Sequence, residues 1–236
     1  MPQTGVLPAA AIFDMDGVLV DSNPFHLKKW EALLDEHRIA FDRDELPRLI
    51  LGHRNDTTLR HFFGPNLGTD ETQRLGDELE ETFREMIRPH ARPVPGLEAL
   101  IIAFHNAGIP MAVASSAMTK NVEFIVDVLG FRHYFRHLVT GDEVRHAKPD
   151  PEIYIKAAEK LEIQPSRCVA FEDSFVGVES AKRAGMICVA IASTFPLSEL
   201  RERTHADLAV ESFEQLNLGM LRGLFRADQT NRSGKA

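Results

Sequence analysis

Two patterns in the 236-residue sequence predict an α/β fold, an open parallel sheet with helices on both faces. From about residue 93 onward, short apolar runs alternate with stretches whose apolar residues recur at helical spacing, which is typical of parallel βαβ units. Earlier, the first apolar run is followed by helical pattern alone as far as Arg92. The prediction is therefore one α/β domain with a helical insertion at residues 23–92.

The strands of this fold are predicted where short apolar runs end in polar residues. The first run, Ala10 to Phe13, is too short for a helix and ends at an aspartate, so it predicts a buried strand. Further strands are predicted in IPMAVAS, HLVT, RCVAFED, MICVAIA and ADLAV. Helices are predicted between them, three closed by glycines at 108, 130 and 185, and a last one in SFEQLNLGMLRGLF, followed by a frayed polar tail.

Composition excludes several classes of function. The formal net charge is -8 and the Lys and Arg residues form no cluster, which argues against nucleic-acid binding. The start of the chain lacks a signal-peptide pattern, and no apolar stretch approaches membrane-spanning length. Cys168 and Cys188 lie in apolar runs, as buried thiols of a reducing compartment do. We therefore expect a cytoplasmic protein without nucleic-acid or membrane partners.

Reactive side chains follow four of the predicted strands. They are Asp14 and Asp16, Ser115 and Ser116, Lys148, and Glu172 with Asp173. Ligands of open parallel sheets bind at the carboxyl ends of the strands, so these groups are expected to meet. Several carboxylates at close range need a cation, and hard oxygen ligands favour Mg²⁺.

Such a group of residues suits phosphoryl chemistry. One carboxylate could act as a nucleophile and form an acyl-phosphate. Lys148 would neutralise charge on the nucleophile and on the transferring phosphoryl group, and Ser115 with backbone N–H groups could hold a phosphate oxygen. Because side chains two residues apart on an extended chain point the same way, Asp14 and Asp16 could face one phosphate.

Four segments in order, DMDGVLVDS, VASSA, KPDPEIY and FEDSFVGVESAKRAG, resemble the motifs of the haloacid dehalogenase-like hydrolase superfamily. The insertion resembles its small α-helical cap, which implies a Rossmann-like core of residues 1–22 and 93–236 and a cap of residues 23–92. DGVLVDS, His26 and the pair Glu172-Asp173 are similar to the β-phosphoglucomutase-like sugar-phosphate phosphatases.

The resemblance implies a role for each candidate residue. Asp14 is the nucleophile and Asp16 the general acid/base, while Ser115 and Lys148 hold the phosphate. The expected Mg²⁺ ligands are Asp14, Asp16 through its backbone carbonyl, Glu172 and Asp173. Three assignments stay open. Ser116 shares the phosphate or caps a turn. Glu172 is a metal ligand, an acid that lies behind the ligands, or a surface acid. His26 lines the site or is an ordinary half-buried residue.

The cap is where the sequence departs from this subgroup. GHRNDTTL resembles the subgroup's substrate loop, which usually has an arginine three residues after the glycine; here Asn55 occupies that place and Arg54 precedes it. The mutases also carry a lysine on a later cap helix, where this chain has Leu79. Arg54 and Asn55 are the candidate substrate contacts. The acids of DELEET are predicted to form a solvated helix face.

Together these features predict a Mg²⁺-dependent phosphatase that hydrolyses a small metabolite, a sugar or polyol phosphate, through an aspartyl-phosphate. Weak basic character in the cap favours hydrolysis over the alternative, a β-phosphoglucomutase-type mutase. A second alternative is a non-catalytic binding or regulatory member of the fold. Dehalogenation is disfavoured because the dehalogenases lack the second aspartate, Asp16. The expected partner is a small phosphate ester, and the chain is expected to be a monomer.

Overall fold

The structure is a computed structural model that describes residues 5–232. Its described part contains a six-stranded sheet in which every neighbouring pair is parallel, with strand order β3-β2-β1-β4-β5-β6. The strands are β1 (Ala10–Phe13), β2 (Met111–Ala114), β3 (Phe135–Val139), β4 (Cys168–Glu172), β5 (Ile187–Ile191) and β6 (Leu208–Val210). The predicted open parallel sheet is confirmed.

Helices cover both faces of the sheet, and the alternation of side chains along β1 explains why its strands are apolar throughout. Ala11 and Phe13 pack into one hydrophobic cluster, whereas Ala10 and Ile12 pack into another on the opposite face. The core helices are α5 (Leu97–Asn106), α6 (Thr119–Val128), α7 (Glu152–Lys160), α8 (Phe175–Arg183), α9 (Leu197–Arg203) and α10 (Leu218–Arg232).

Between β1 and α5, a stretch that is described throughout, the chain forms four helices, and we call this segment the insertion. Its helices are α1 (Asn23–Glu36), α2 (Leu46–Ile50), α3 (Asn55–Phe63) and α4 (Thr69–Ile87). They enclose a hydrophobic cluster of their own that includes Trp30 and Leu59. The chain leaves and re-enters the core side by side, since the Asp21 N–H donates to the Arg92 carbonyl at 3.3 Å.

Two predictions near the carboxyl end were wrong. The last helix begins at Leu218 rather than in the preceding SFEQ segment, because Ser212 Oγ accepts from the Glu214 N–H in a short 3₁₀ turn and Asn217 Oδ1 accepts from the Met220 N–H. The helix then continues to Arg232 into the tail expected to fray; residues 233–236 lie outside the described part. Helix α9 was not predicted.

Within residues 5–232, no helix combines the length and the apolar character needed to cross a bilayer.

Candidate active site

The sheet topology brings the predicted residues to one edge. Phe13 of β1 pairs with Val113 of β2 on one side and with Phe171 of β4 on the other. The residues that follow these three strands are therefore neighbours. Asp14, Asp16, Ser115 and Lys148 line one cavity of about 260 Å³ between the sheet edge and the insertion.

Gly17 lets the chain turn back immediately after the two aspartates. Its φ is +74°, a conformation that L side chains rarely adopt. A Cβ atom at this position would overlap the carboxylate of Asp173 and the amide of Asn23. The glycine is thus required both for the turn and for the close approach of β1 and β4.

Lys148 is buried at the centre of the site. Its Nζ donates to Asp14 Oδ1 at 2.8 Å, to Glu172 Oε1 at 2.7 Å and to the Ala114 carbonyl at 3.2 Å. Burial alone would lower the pKa of Lys148, but the charges of Asp14 and Glu172 hold it above its ordinary value. Lys148 is therefore an ammonium that contacts the predicted nucleophile directly.

Asp14, Glu172 and Asp173 form an acidic cluster. They are all buried, and each offers an oxygen within 4.8 Å of those of the other two. Burial, opposed by Lys148 but reinforced by Glu172 and Asp16, raises the pKa of Asp14 to about 7. Burial and the charges of Glu172 and Asp14 also raise the pKa of Asp173 well above its usual range. Among the described contacts, Lys148 is the one ammonium group that pairs with this cluster of three carboxylates. The cluster therefore has an excess of negative charge, which suits a divalent cation.

Glu172 is held by hydrogen bonds at both carboxylate oxygens. Oε1 accepts from the hydroxyl of Tyr154 at 2.7 Å in addition to Lys148. Oε2 accepts from the Asp173 N–H at 3.1 Å and from Ser174 Oγ at 3.2 Å. The side chain has no exposed surface, so the idea that Glu172 is a surface acid is wrong.

Asp173 is oriented by two residues from distant parts of the chain. Its Oδ2 accepts from Asn23 Nδ2 at 3.0 Å and from the hydroxyl of Thr194. Asn23 begins the insertion and Thr194 follows β5. The Asp173 carboxylate is therefore held by one residue of the insertion and one residue of the core.

Asp16 lies at the junction between the sheet and the insertion. Its Oδ1 accepts from Ser22 Oγ at 2.5 Å and from His26 Nε2 at 2.8 Å. Burial would raise the pKa of Asp16, but the His26 charge and the hydrogen bonds from His26 and Ser22 hold it below its ordinary value. The His26 ring stacks on Phe83 with centroids 4.1 Å apart. His26 therefore lines the site beside Asp16.

The two serines after β2 occupy different positions. Ser115 is buried beside the cavity, and its Oγ accepts from the Ala117 N–H at 3.1 Å. Ser116 lines the cavity as well, but its Oγ donates to the Gly52 carbonyl at 3.4 Å and so connects the core to the insertion.

The insertion contributes a second set of polar residues to the cavity, which we call the cap lining: Arg54, Asn55, Asp56, Arg60 and Glu80. Arg54 Nη1 donates to the Gly141 carbonyl of the core at 3.2 Å, and its Nε lies 3.3 Å from Asp56 Oδ1. Asn55 donates its amide to Glu80. Arg54 and Asn55 thus both lie at the cavity.

Glu80 is a correction to the prediction that the DELEET acids form a solvated face. Its side chain is 7% exposed, and Oε1 accepts from Lys29 Nζ at 2.9 Å. Asn121, on core helix α6, donates to the other oxygen. Glu80 faces inward because it shares a side of α4 with Phe83, three residues further on.

Sequence reasoning missed the residues that hold the acids in place, namely Asn23, Lys29, Asn121, Tyr154, Ser174 and Thr194. One of them carried a signal. Lys29 lies three residues after His26 and four before Leu33, on the inward stripe of α1, where a lysine needs a buried partner.

Comparison with known proteins is consistent with this geometry. The family model described as haloacid dehalogenase-like hydrolase matches residues 8–185. The chain is 32% identical to the fructose-1-phosphate phosphatase YqaB of Escherichia coli (strain K12), over 77% of this chain and 95% of the relative. It is 30% identical to the β-phosphoglucomutase of Bacillus subtilis (strain 168), over 86% of this chain and 92% of the relative.

A solved structure agrees over almost the whole fold. The crystal structure of a HAD hydrolase, family IA, variant 3 from Entamoeba histolytica superimposes with a TM-score of 0.84 at 26% identity, covering 92% of this chain and 99% of that chain. Enzymes of this family generally use a divalent metal, which the acidic cluster fits. The chain therefore belongs to the haloacid dehalogenase-like hydrolase family, in its β-phosphoglucomutase-like and sugar-phosphate phosphatase subgroup, and is a phosphatase.

Proposed function

We propose that the protein hydrolyses sugar or polyol monophosphates with Mg²⁺ and forms an aspartyl-phosphate on Asp14. The observation that carries the proposal is the meeting of Asp14, Asp16, Ser115 and Lys148 at one cavity. A nucleophile, a proton carrier and phosphate-binding groups are what hydrolysis of a phosphate ester requires.

In the first step, a carboxylate oxygen of Asp14 attacks phosphorus while the bond from phosphorus to the ester oxygen breaks. Asp16, which is protonated when the negative charge of the phosphate lies beside it, gives its proton to that departing oxygen, so the alcohol leaves neutral. In the second step, Asp16 takes a proton from a water molecule, which attacks the phosphorus of the aspartyl-phosphate and releases inorganic phosphate. The ammonium of Lys148 and the hydroxyl of Ser115 hold phosphoryl oxygens during both steps.

We propose that Asp14, Asp173, Glu172 and the backbone carbonyl of Asp16 hold the Mg²⁺ ion. When bound, the ion would neutralise charge on the phosphoryl group and polarise its bond to the leaving oxygen. The buried, mutually repelling carboxylates of the acidic cluster support this assignment. We expect an excess of chelator to abolish phosphate release and added Mg²⁺ to restore it. Full activity in excess chelator would refute the metal site.

The charges of the cap lining favour hydrolysis over the mutase reaction. A mutase must bind a second, distal phosphate, which requires cations in the cap. Here Arg54 and Arg60 both lie near the Asp56 carboxylate, at 3.3 and 3.8 Å, and Lys29 pairs with Glu80. Burial lowers the pKa of His53, another residue of the cavity, so it adds no charge at neutral pH.

The same proposal covers the domains of the chain, its location and its oligomeric state. Residues 1–22 and 93–236 form the catalytic core, and residues 23–92 form the cap. The chain acts as a cytoplasmic monomer on a free small molecule. Its two cysteines, Cys168 and Cys188, are buried and not joined, which supports a reducing compartment.

The test of this proposal is a phosphate-release screen over sugar, polyol and nucleotide monophosphates in Mg²⁺. We expect turnover of sugar or polyol phosphates above that of nucleotides. A parallel assay for conversion of glucose 1-phosphate to glucose 6-phosphate, with a bisphosphate primer, tests the mutase alternative. Conversion faster than phosphate release would overturn the phosphatase assignment.

A further inference from the structure

The proposed chemistry makes no use of a buried charged pair in the cap. Lys29 on α1 and Glu80 on α4 lie 2.9 Å apart, with side chains 1% and 7% exposed. Glu80 lines the cavity, and Lys29 lies behind it, with its Nζ 5.0 Å from the centroid of the Phe83 ring. A carboxylate therefore stands between a buried ammonium and the space that the substrate enters.

Stability alone is a weak reason for such a pair. Removing two charges from water costs about as much as their attraction returns, so buried ion pairs contribute little net free energy of folding. Glu80 nevertheless receives donors from three separate elements, since Lys29, Asn55 and Asn121 belong to α1, α3 and α6. Three separate elements thus supply partners for one carboxylate at the cavity.

The hydrogen-bonding capacity of Glu80 is not exhausted by these partners. An ionised carboxylate has about four acceptor positions, and these donors use three. A hydroxyl group of a bound substrate is a donor that could use the fourth. A second phosphate is an acceptor with negative charge, which this carboxylate would repel.

We propose that the Lys29–Glu80 pair determines specificity. Glu80 accepts a hydrogen bond from a hydroxyl on the non-phosphate end of the substrate and masks the Lys29 ammonium from a second anionic group. This inference rests on the proposed function, because it assumes that the phosphate end occupies the core side of the cavity. It assigns to this pair the preference for polyhydroxy monophosphates over bisphosphates.

The pair offers a charge series that separates this role from a structural one. Glu80→Gln leaves the Lys29 charge unmasked, Lys29→Met leaves the Glu80 charge alone, and the double variant Lys29→Met/Glu80→Gln removes both charges. Glu81→Gln is the matched control, since it makes the same change of charge on the exposed side of α4. Thermal unfolding of every variant identifies any that fails to fold.

The probes are fructose 1-phosphate and fructose 1,6-bisphosphate, which differ only in the second phosphate. The preference for the monophosphate, as a ratio of kcat/KM, should fall at least about tenfold in Glu80→Gln and rise in Lys29→Met. The double variant should lie between them, and Glu81→Gln should match the wild type. A ratio within twofold of the wild type in folded Glu80→Gln would overturn the inference, and if Glu80→Gln does not fold, a ratio in Lys29→Met that does not rise would overturn it.

Calorimetric binding of the same two ligands keeps this test independent of turnover. It is measured with Mg²⁺ in an Asp14→Asn background, with and without the Glu80→Gln change. We expect Glu80→Gln to tighten binding of the bisphosphate relative to the monophosphate; an unchanged ratio would contradict the inference. A wild-type protein that hydrolyses no phosphate ester would contradict the proposed function instead, and the binding ratio would still decide the role of Glu80.

Discussion

The acidic cluster and the cap lining border the same active-site region but differ in charge. The cluster has an excess of negative charge, whereas the charged groups of the cap lining are paired. The acidic cluster gathers three buried carboxylates around one ammonium, that of Lys148. In the cap lining, the arginines share Asp56, and Glu80 is paired with Lys29. The excess negative charge of the cluster favours binding of a cation. A bound cation would in turn neutralise charge on a phosphoryl group. The balanced cap suits the uncharged, hydroxyl-bearing part of a substrate.

The two regions also differ in how they are anchored. Asp14 and Glu172 extend directly from β1 and β4, and their partners are fully buried. Gly52 and Arg54 lie in the turn before α3, and each reaches the core through a single contact, Arg54 to the Gly141 carbonyl and the Gly52 carbonyl to Ser116 Oγ. Substitutions in the cluster should therefore stop the reaction, whereas substitutions in the cap should change which ester reacts.

The largest expected effect is that of Asp14→Asn, which removes the proposed nucleophile. Release of phosphate from p-nitrophenyl phosphate should fall on the order of 10³-fold or more. The fold should survive, because Lys148 keeps its partner Glu172. Circular dichroism checks the fold and a phosphate assay checks the rate. Turnover like that of the wild type would show that Asp14 is not the nucleophile.

Asp16→Asn should separate the two steps of the reaction. Hydrolysis of alkyl phosphates should fall about 10²- to 10⁴-fold, because a proton carrier is lost. With p-nitrophenyl phosphate, whose leaving group needs little protonation, the first step should persist and the second should stall. Rapid-mixing absorbance should then show a burst of one p-nitrophenolate per enzyme. Steady turnover without a burst, at the wild-type rate, would contradict the role of Asp16.

Gly17→Ala tests whether the acidic cluster depends on the close approach of the two strand ends. Gly17 and Gly108 both have positive φ, +74° and +68°, so alanine at either position should cost about 1 to 2 kcal/mol of unfolding free energy. A Cβ at Gly17 would also overlap the Asp173 carboxylate, whereas nothing lies within 4 Å of one at Gly108.

Chemical denaturation and a titration of activity against Mg²⁺ compare these two variants. Gly17→Ala should lose most of its activity and require more Mg²⁺, while Gly108→Ala should keep the activity of the wild type. Equal activities in the two variants would mean that the approach of Gly17 to Asp173 does not matter for the site.

Arg54→Ala should have the smallest effect of the series. Its guanidinium contacts Gly141 and Asp56 and is 30% exposed, so it is neither buried nor part of the acidic cluster. We expect KM for the preferred sugar phosphate to rise by about threefold to tenfold with kcat nearly unchanged, as for loss of uniform binding. A fall in kcat equal to the fall in kcat/KM would mean that Arg54 stabilises the transition state. The cap lining would then contribute to the reaction itself, as the acidic cluster does.

The fold and the core side of the site are predictable from the sequence alone. Buried parallel strands are apolar on both faces, so the sequence pattern predicts their alternation with helices. The carboxyl ends of adjacent parallel strands must lie together, so a polar residue after each strand is enough to predict one cluster. Asp14, Ser115, Lys148 and Asp173 are predicted in this way, because their positions follow from local pattern and general topology.

The residues that hold and surround that cluster are known only from the way the chain packs in three dimensions. Asn23 meets Asp173 across 150 positions of sequence, and Lys29 meets Glu80 across 51. Helical periodicity shows which face of a helix is apolar, but it does not reveal which distant group satisfies a buried charge on that face. Glu80 therefore looked like one solvated acid among several. Its burial depends on how α1, α3, α4 and α6 pack together, and that packing is a property of the whole fold.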